Sequence, residues 1–138
     1  MSVPEHLCRF PTSAAIDALA KRFRLPDGAQ MQDWPWEVAD AERLDEFLDA
    51  YDSGGLSDDE RFTLMEIILQ SFEDLGSSRG FDARWHRALD VLDRNIDLHA
   101  YSVWYWSDLE NENTDELWLV TPFLRRLLER HRYRLERL

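Results

Sequence analysis

The sequence predicts an all-α fold: a single compact domain of about five or six helices packed around a central apolar helix over residues 58–75. Three observations predict it. Apolar residues recur every three or four positions through most of the chain. Capping and chain-breaking residues frame the repeating segments. The 138 residues carry no internal repeat or linker, so one domain over residues 1–138 is the simplest organisation.

The first helix is expected at residues 14–23, AAIDALAKRF, where the apolar side chains have helical spacing. Thr12 or Ser13 can cap it, since a hydroxyl accepts from the free backbone amides of a first turn. Pro26-Asp27-Gly28 is expected to end the helix.

An aperiodic segment follows at residues 29–40, and it predicts a loop. Trp34 and Trp36 flank a proline there, and both rings are expected to pack the loop against the core. Asp40 is expected to cap the next helix, at 41–51, which has one apolar and one acidic face.

The central helix has the clearest signals. Ser57 and Glu60 form a capping box, in which each side chain accepts from the backbone amide of the other residue. The helix is apolar on most sides, which predicts neighbours around it. Gly76 is expected to stop it, with a break over 76–80. Its polar positions form one narrow stripe: Glu66, Gln70, Glu73 and Asp74.

The next helix is expected at 83–95, with Asp82 as its cap. Its apolar rhythm continues through His99 to Trp106 and favours a second helix, with a break near 95–97. A strand at 100–106 is the alternative, because Tyr, Val and Trp favour strands. No partner strand is evident, so the helix is preferred.

An acidic loop, SDLENENTDE at residues 107–116, comes next and is expected to be exposed. Residues 117–120 are a candidate extended segment. Thr121 as cap and Pro122 at the first helical position predict the start of the last helix. This helix carries six arginines, which can pair with the acidic body or bind an anionic surface.

The net charge is −12, and it is distributed unevenly. Residues 33–117 carry −17, whereas residues 118–138 carry +4. Such an acidic body repels phosphates, which argues against nucleic-acid binding through it. No apolar run approaches the roughly 18 residues of a membrane span, and no signal peptide is evident. With one cysteine, Cys8, a cytoplasmic protein without membrane attachment is expected.

Motifs of catalysis are absent from the sequence. There is no nucleophile elbow, no glycine-rich phosphate loop and no zinc spacing. His86 lies one turn from Asp82 and Asp90, but such spacing is common on solvated helix faces. We therefore expect no enzyme activity, no cofactor and no metal.

Four aromatics within six residues at 101–106 have two interpretations. They can form part of the core, because aromatic side chains bury large areas. They can also form a groove for a peptide or a flat ligand. His99 lies on the apolar stripe and is expected to be a core residue.

By elimination, the sequence favours a small acidic protein that binds another, basic protein. The leading hypothesis is an immunity-type inhibitor that covers a basic or catalytic face of a bacterial toxin. The acidic helix face and the following helix start would speed association, and the aromatic residues and the acidic loop would supply contacts. The candidate partner-binding residues are Asp45, Glu46, Asp49, Asp52, Asp58, Asp59, Trp104, Tyr105, Glu110, Glu112, Asp115 and Glu116.

Two other functions remain open from the sequence. One is a homo-oligomeric adaptor or scaffold, such as a homodimer joined through an apolar patch. The other is a helical domain that binds a small molecule at the aromatic cluster 101–106, which requires a sizeable pocket reaching Trp104 or Trp106.

Overall fold

The computed structural model describes residues 3–28, 33–76 and 82–138. All regular secondary structure in these ranges is helical, which confirms the predicted all-α class. The helices of the described ranges are α1 (Ser13–Phe23), α2 (Trp34–Glu37), α3 (Leu44–Asp52), α4 (Asp58–Leu75), α5 (Ala83–Arg94), α6 (Ile96–Ser107) and α7 (Thr121–Leu135), with 3₁₀ turns at Glu5–Leu7 and Ala41–Arg43.

Contacts divide the chain into two compact units. The N-terminal unit is Phe10–Trp85, and the C-terminal unit combines Met1–Arg9 with His86–Leu138. The single domain expected over residues 1–138 stays a prediction.

The central helix of the N-terminal unit is α4, as its sequence predicts. It packs against α1, α2 and α3 and is buried continuously from Phe62 to Leu69. The capping box is present: the Ser57 hydroxyl accepts from the Glu60 amide at 3.1 Å, and the Glu60 carboxylate accepts from the Ser57 amide at 3.0 Å. The helix ends before Gly76, as expected; the rest of the break over 77–80 lies outside the described residues.

Glu66 belongs to the polar stripe of α4, but it is not on the surface. It is buried, and its carboxylate accepts from the indole Nε1 of Trp36 at 3.1 Å. A carboxylate in the interior is stable only with polar partners, and the indole supplies one of them. The stripe of polar positions therefore begins in the interior, where a partner from a different segment meets Glu66.

The prediction of a loop around Trp34 and Trp36 was wrong in part, because residues 34–37 form the short helix α2. The carbonyl oxygen of Asp33 accepts from the amides of Trp36 and Glu37, at 3.0 and 3.1 Å, which closes the turn. Trp34 is buried as expected, and its indole donates to the carbonyl oxygen of Pro26 at 2.8 Å. Residues 29–32 of the predicted loop lie outside the described residues.

The start of α3 differs slightly from the prediction. Asp40 accepts from the amide of Glu42 at 3.0 Å, so it caps the 3₁₀ turn Ala41–Arg43. The α-helix itself begins at Leu44. Asp82 accepts from the amide of Arg84 at 2.8 Å, which agrees with its predicted role at the start of α5.

In the C-terminal unit, α6 packs along α7. The predicted break is present between Arg94 and Ile96, and residues 100–106 are helical as preferred. The buried His99 has non-helical backbone angles, φ −105° and ψ 15°, so α6 kinks there.

The structure differs from two expectations around residues 117–121. The segment 117–120, a candidate for extended structure, ends in a turn, since the amide of Thr121 donates to the carbonyl oxygen of Trp118 at 3.1 Å. Val120 occupies the cap position of α7, and Thr121 is its first helical residue. The Thr121 hydroxyl donates to the carbonyl oxygen of Trp106 at 2.7 Å, so it ties α7 to the end of α6.

Candidate functional site

The helix α6 arranges the aromatic residues on two sides. Tyr101 and Tyr105 lie one turn apart, and their rings stack with centroids 5.9 Å apart. Both are half-buried, whereas Trp104 and Trp106 are buried. Spacing of four residues places side chains on one helix face, which is why the two tyrosines meet.

A further ring, Trp118, completes this cluster from the end of the acidic loop. Its ring stacks on Tyr105 at 5.6 Å between centroids and contacts Trp106 at 4.8 Å. Trp118 was not among the sequence-predicted site residues, because no local spacing relates it to α6. The cluster is therefore part core and part surface, between the two interpretations of the sequence.

Trp104 has little surface to offer a partner. The residue is 5% exposed, and the guanidinium group of Arg132 lies 5.1 Å from its ring centroid. This distance is within the range of a cation–π contact. The direct role of Trp104 in partner binding stays a prediction.

The acidic loop is anchored at its base by Arg125 of α7. The guanidinium group donates to the carbonyl oxygens of Ser107, Asp108 and Asn111, at 2.7, 2.6 and 3.0 Å. The last carbonyls of a helix lack partners within the helix. Arg125 and Thr121 supply partners at the end of α6, and they fix the loop where it leaves the helix.

Asparagine side chains order the loop further along. Asn111 accepts from the amide of Asn113, and Asn113 accepts from the amide of Asp115, each at 3.0 Å. The amide group of Asn111 also donates to the Asp108 carboxylate at 3.2 Å. Asparagine favours such local turns because its short side chain reaches the backbone two residues on.

The loop presents its carboxylates to solvent, as predicted. The exposed acidic residues are Glu110, Glu112, Asp115 and Glu116. Two apolar side chains flank them, Leu109 at 39% and Leu119 at 41% exposure. An ordered backbone thus carries negative charge beside modest apolar area.

The acidic face of α3 is more neutralised than its composition suggests. The Glu46 carboxylate accepts two hydrogen bonds from Arg43, both at 2.8 Å. These bonds hold the pKa of Glu46 below its ordinary value. Asp45 lies 3.8 Å from the guanidinium group of Arg84.

At the start of α4, Asp58 and Asp59 are both exposed, and Asp58 pairs with Arg61. Asp49 and Asp52 of α3 are exposed as well. The three-residue spacing of Arg43–Glu46 and Arg61–Asp58 is visible in the sequence, but the pairing was not anticipated. The predicted partner-binding residues therefore fall into two groups, one in each unit.

The arginines of α7 pair largely within the C-terminal unit. Asp93 accepts from Arg130 at 3.2 Å and from His131 at 2.6 Å, with His131 as the donor. Arg134 donates to Asp97. Internal pairing was one of the two roles considered for this helix, and it leaves less free positive charge for an anionic surface.

A small pocket opens between the end of α6 and the acidic loop. Its volume is about 170 Å³, and Trp104, Tyr105 and Trp118 contribute its aromatic walls. Typical small-molecule sites enclose roughly 300–1,000 Å³. The pocket is thus of a size for one side chain, which does not favour a cofactor-sized ligand.

Within residues 3–28, 33–76 and 82–138, no three His, Cys, Asp or Glu side chains are grouped to hold a metal ion. No helix in those ranges has the length and apolar character that crossing a membrane requires.

Fold and surface together define a small all-helical protein with an anchored acidic loop. Comparison with protein-family models, with curated proteins and with solved structures finds no match to this chain. The function proposed next therefore rests on geometry and charge.

Proposed function

We propose that this protein binds a basic protein through its acidic loop and acts as an immunity-type inhibitor that covers a basic or catalytic face of a bacterial toxin. The observation that carries the proposal is the anchoring of the loop by Arg125. Three hydrogen bonds from one guanidinium group hold the base of a segment that exposes four carboxylates.

Anchoring matters because a loop that is ordered before binding loses less conformational entropy when it binds. The loop has five acidic residues and no basic residue between 107 and 117. Its field would attract a basic surface, and Leu109 and Leu119 would add apolar contact at the same place.

The acidic face of α3 has a different part in the proposal. Its charge contributes to the overall field of a protein with net charge −12, and that field steers encounter over distances longer than a contact. Because Arg43 and Arg84 offset Glu46 and Asp45, this face is expected to affect the rate of association more than the lifetime of the complex.

The first experiment is an affinity pull-down of the tagged protein from a lysate of its own cells, at low and moderate salt, read by mass spectrometry. A single basic partner that is retained at low salt and weakened as salt rises supports the proposal. Recovery of the protein alone would contradict it and favour a homo-oligomeric adaptor.

Two variants with equal charge change then separate the roles of the two surfaces. The loop variant carries Glu112→Gln, Asp115→Asn and Glu116→Gln, and the matched helix variant carries Asp45→Asn, Asp49→Asn and Asp52→Asn. We expect the helix variant to slow association and flatten its salt dependence. The loop variant should mainly speed dissociation, because contacts govern the lifetime of a complex. Unchanged kinetics for the loop variant would refute docking through the loop.

A further inference from the structure

The pocket beside the acidic loop combines two kinds of chemistry. Trp104, Tyr105 and Trp118 are its aromatic lining residues, and Asp108 and Glu110 are acidic residues of the same lining. Val3 and Leu109 add apolar surface, and among the described residues that line the pocket none has a basic side chain.

Aromatic faces and carboxylates both attract cations. A ring carries negative charge density on its faces, and a cation within about 6 Å of the centroid is stabilised by it. A carboxylate adds charge-assisted hydrogen bonds. An anionic ligand would be repelled by Asp108 and Glu110, and a volume of about 170 Å³ leaves room for one long side chain.

We propose that this pocket receives an arginine side chain of the protein partner, as the anchor of the complex. This inference rests on the proposed function, which it deepens by naming what the partner inserts. The planar guanidinium group can stack on an aromatic ring while its edge donates to a carboxylate, and an ammonium group offers no such plane.

Arginine already packs on aromatic rings of the same unit, and one of these rings belongs to the pocket lining. The guanidinium carbon of Arg132 lies 5.1 Å from the Trp104 ring centroid, and that of Arg137 lies 3.6 Å from the Tyr133 ring centroid. In the pocket the accessible ring surface comes from Tyr105 and Trp118, which are half-buried, with the acidic residues Asp108 and Glu110 beside them.

The pocket is held in shape by the surrounding contacts. Tyr105 and Trp118 stack with an interplanar angle of 24°, which fixes one wall. Asp108 has left-handed backbone angles, with φ 47°, and its carbonyl oxygen is bound by Arg125 at 2.6 Å. A rigid pocket loses little entropy when a side chain enters.

The test uses the full chain, labelled with ¹⁵N, and short peptides in place of the partner. Acetyl-Gly-Arg-Gly-amide is titrated while the indole N–H signals of Trp104 and Trp118 are followed by NMR. The citrulline peptide, which has nearly the same shape without the charge, and the lysine peptide serve as comparisons. We expect the arginine peptide to shift both indole signals with a dissociation constant on the order of 1 mM, and the other two to bind more weakly.

Charge-removing variants locate the site. Glu110→Gln and Asp108→Asn should each weaken arginine-peptide binding by about fivefold, as for loss of an exposed ion pair. Asparagine tolerates the left-handed backbone at position 108, so that variant should keep its fold. The matched control is Glu112→Gln, since Glu112 is exposed on the same loop but does not line the pocket. It should leave binding unchanged.

Three results would overturn the inference: equal binding of the arginine and citrulline peptides, equal binding of the lysine peptide, or shifts no larger at the two indoles than at Asp45 and Asp49. The peptide titration needs no protein partner, so its failure leaves the proposed protein-binding function standing. A pull-down without a partner would remove that function even if the peptide binds.

Discussion

Arg125 and Ser107 are joined by a hydrogen bond across 18 residues of chain, from the guanidinium Nε to the last helical carbonyl of α6, at 2.7 Å. The same guanidinium group also reaches the carbonyls of Asp108 and Asn111. One side chain thus ends a helix and orders the loop that follows it. Because the candidate docking loop and the pocket share this anchor, it is the first position to test.

Replacing Arg125 by lysine should loosen the acidic loop. A lysine ammonium lacks the planar fork that lets one guanidinium group reach three carbonyls, so some of these partners would be lost. We expect the free energy of unfolding to fall by about 1–3 kcal/mol and the amides of the loop to exchange faster. Hydrogen exchange read by mass spectrometry measures this locally. Arg126→Lys, at the exposed neighbouring position, is the control, and equal exchange in both variants would contradict the anchoring role.

Gly28→Ala should destabilise the N-terminal unit. A Cβ atom at this position would lie 1.7 Å from Cδ1 of Trp34, whose indole is buried and bound to the carbonyl of Pro26. Overpacking of this kind costs about 1–3 kcal/mol or more. Gly55→Ala is the matched control, since a Cβ there meets nothing within 4 Å. Urea unfolding should separate the two variants; similar midpoints would mean that the Trp34 contact is not rigid.

Asp93→Asn should reduce stability near neutral pH and have less effect in acid. The hydrogen bonds from His131 and Arg130 hold the pKa of Asp93 below its ordinary value. A carboxyl group with a lowered folded pKa stabilises the fold above its unfolded pKa of about 3.9, and this contribution is lost as pH falls through the folded pKa. Because Asp93 is partly exposed, solvent screening limits the effect to less than about 1 kcal/mol.

Urea unfolding at pH 7 and pH 3 measures how much the Asp93→Asn substitution lowers the free energy of unfolding. The difference between the wild type and the variant should shrink at the lower pH. Asp90→Asn, an exposed carboxylate of the same helix, provides the comparison. A difference that grows in acid would show that the sign is wrong.

Ser57→Ala should remove the hydroxyl half of the capping box of α4. Loss of such a cap costs about 1 kcal/mol, because the amide of Glu60 loses its 3.1 Å acceptor at the start of the helix. Thermal unfolding of the wild type and the variant measures this loss of stability. Ser13→Ala, at an exposed position in the first turn of α1, should stay within about 0.5 kcal/mol. An equal loss in both variants would assign the effect to helix propensity alone.

The sequence by itself determined the all-α class, the capping box of α4, the break before Ile96 and the helix over 100–106. These features depend on contacts between residues at most four positions apart, and their spacing can be read directly. The exposed acidic loop followed from its composition in the same way.

Only the tertiary structure decided which residues of different elements contact one another. Trp36 reaches the buried Glu66, Thr121 donates to Trp106, and Trp118 stacks on Tyr105 across segments with no shared sequence period. The Arg125 anchor and the pocket also require residues far apart in the chain to meet. A side chain that is apolar, aromatic or charged has many possible partners, and only the packing of helices selects one of them, because a hydrogen bond or ring contact forms at short range alone.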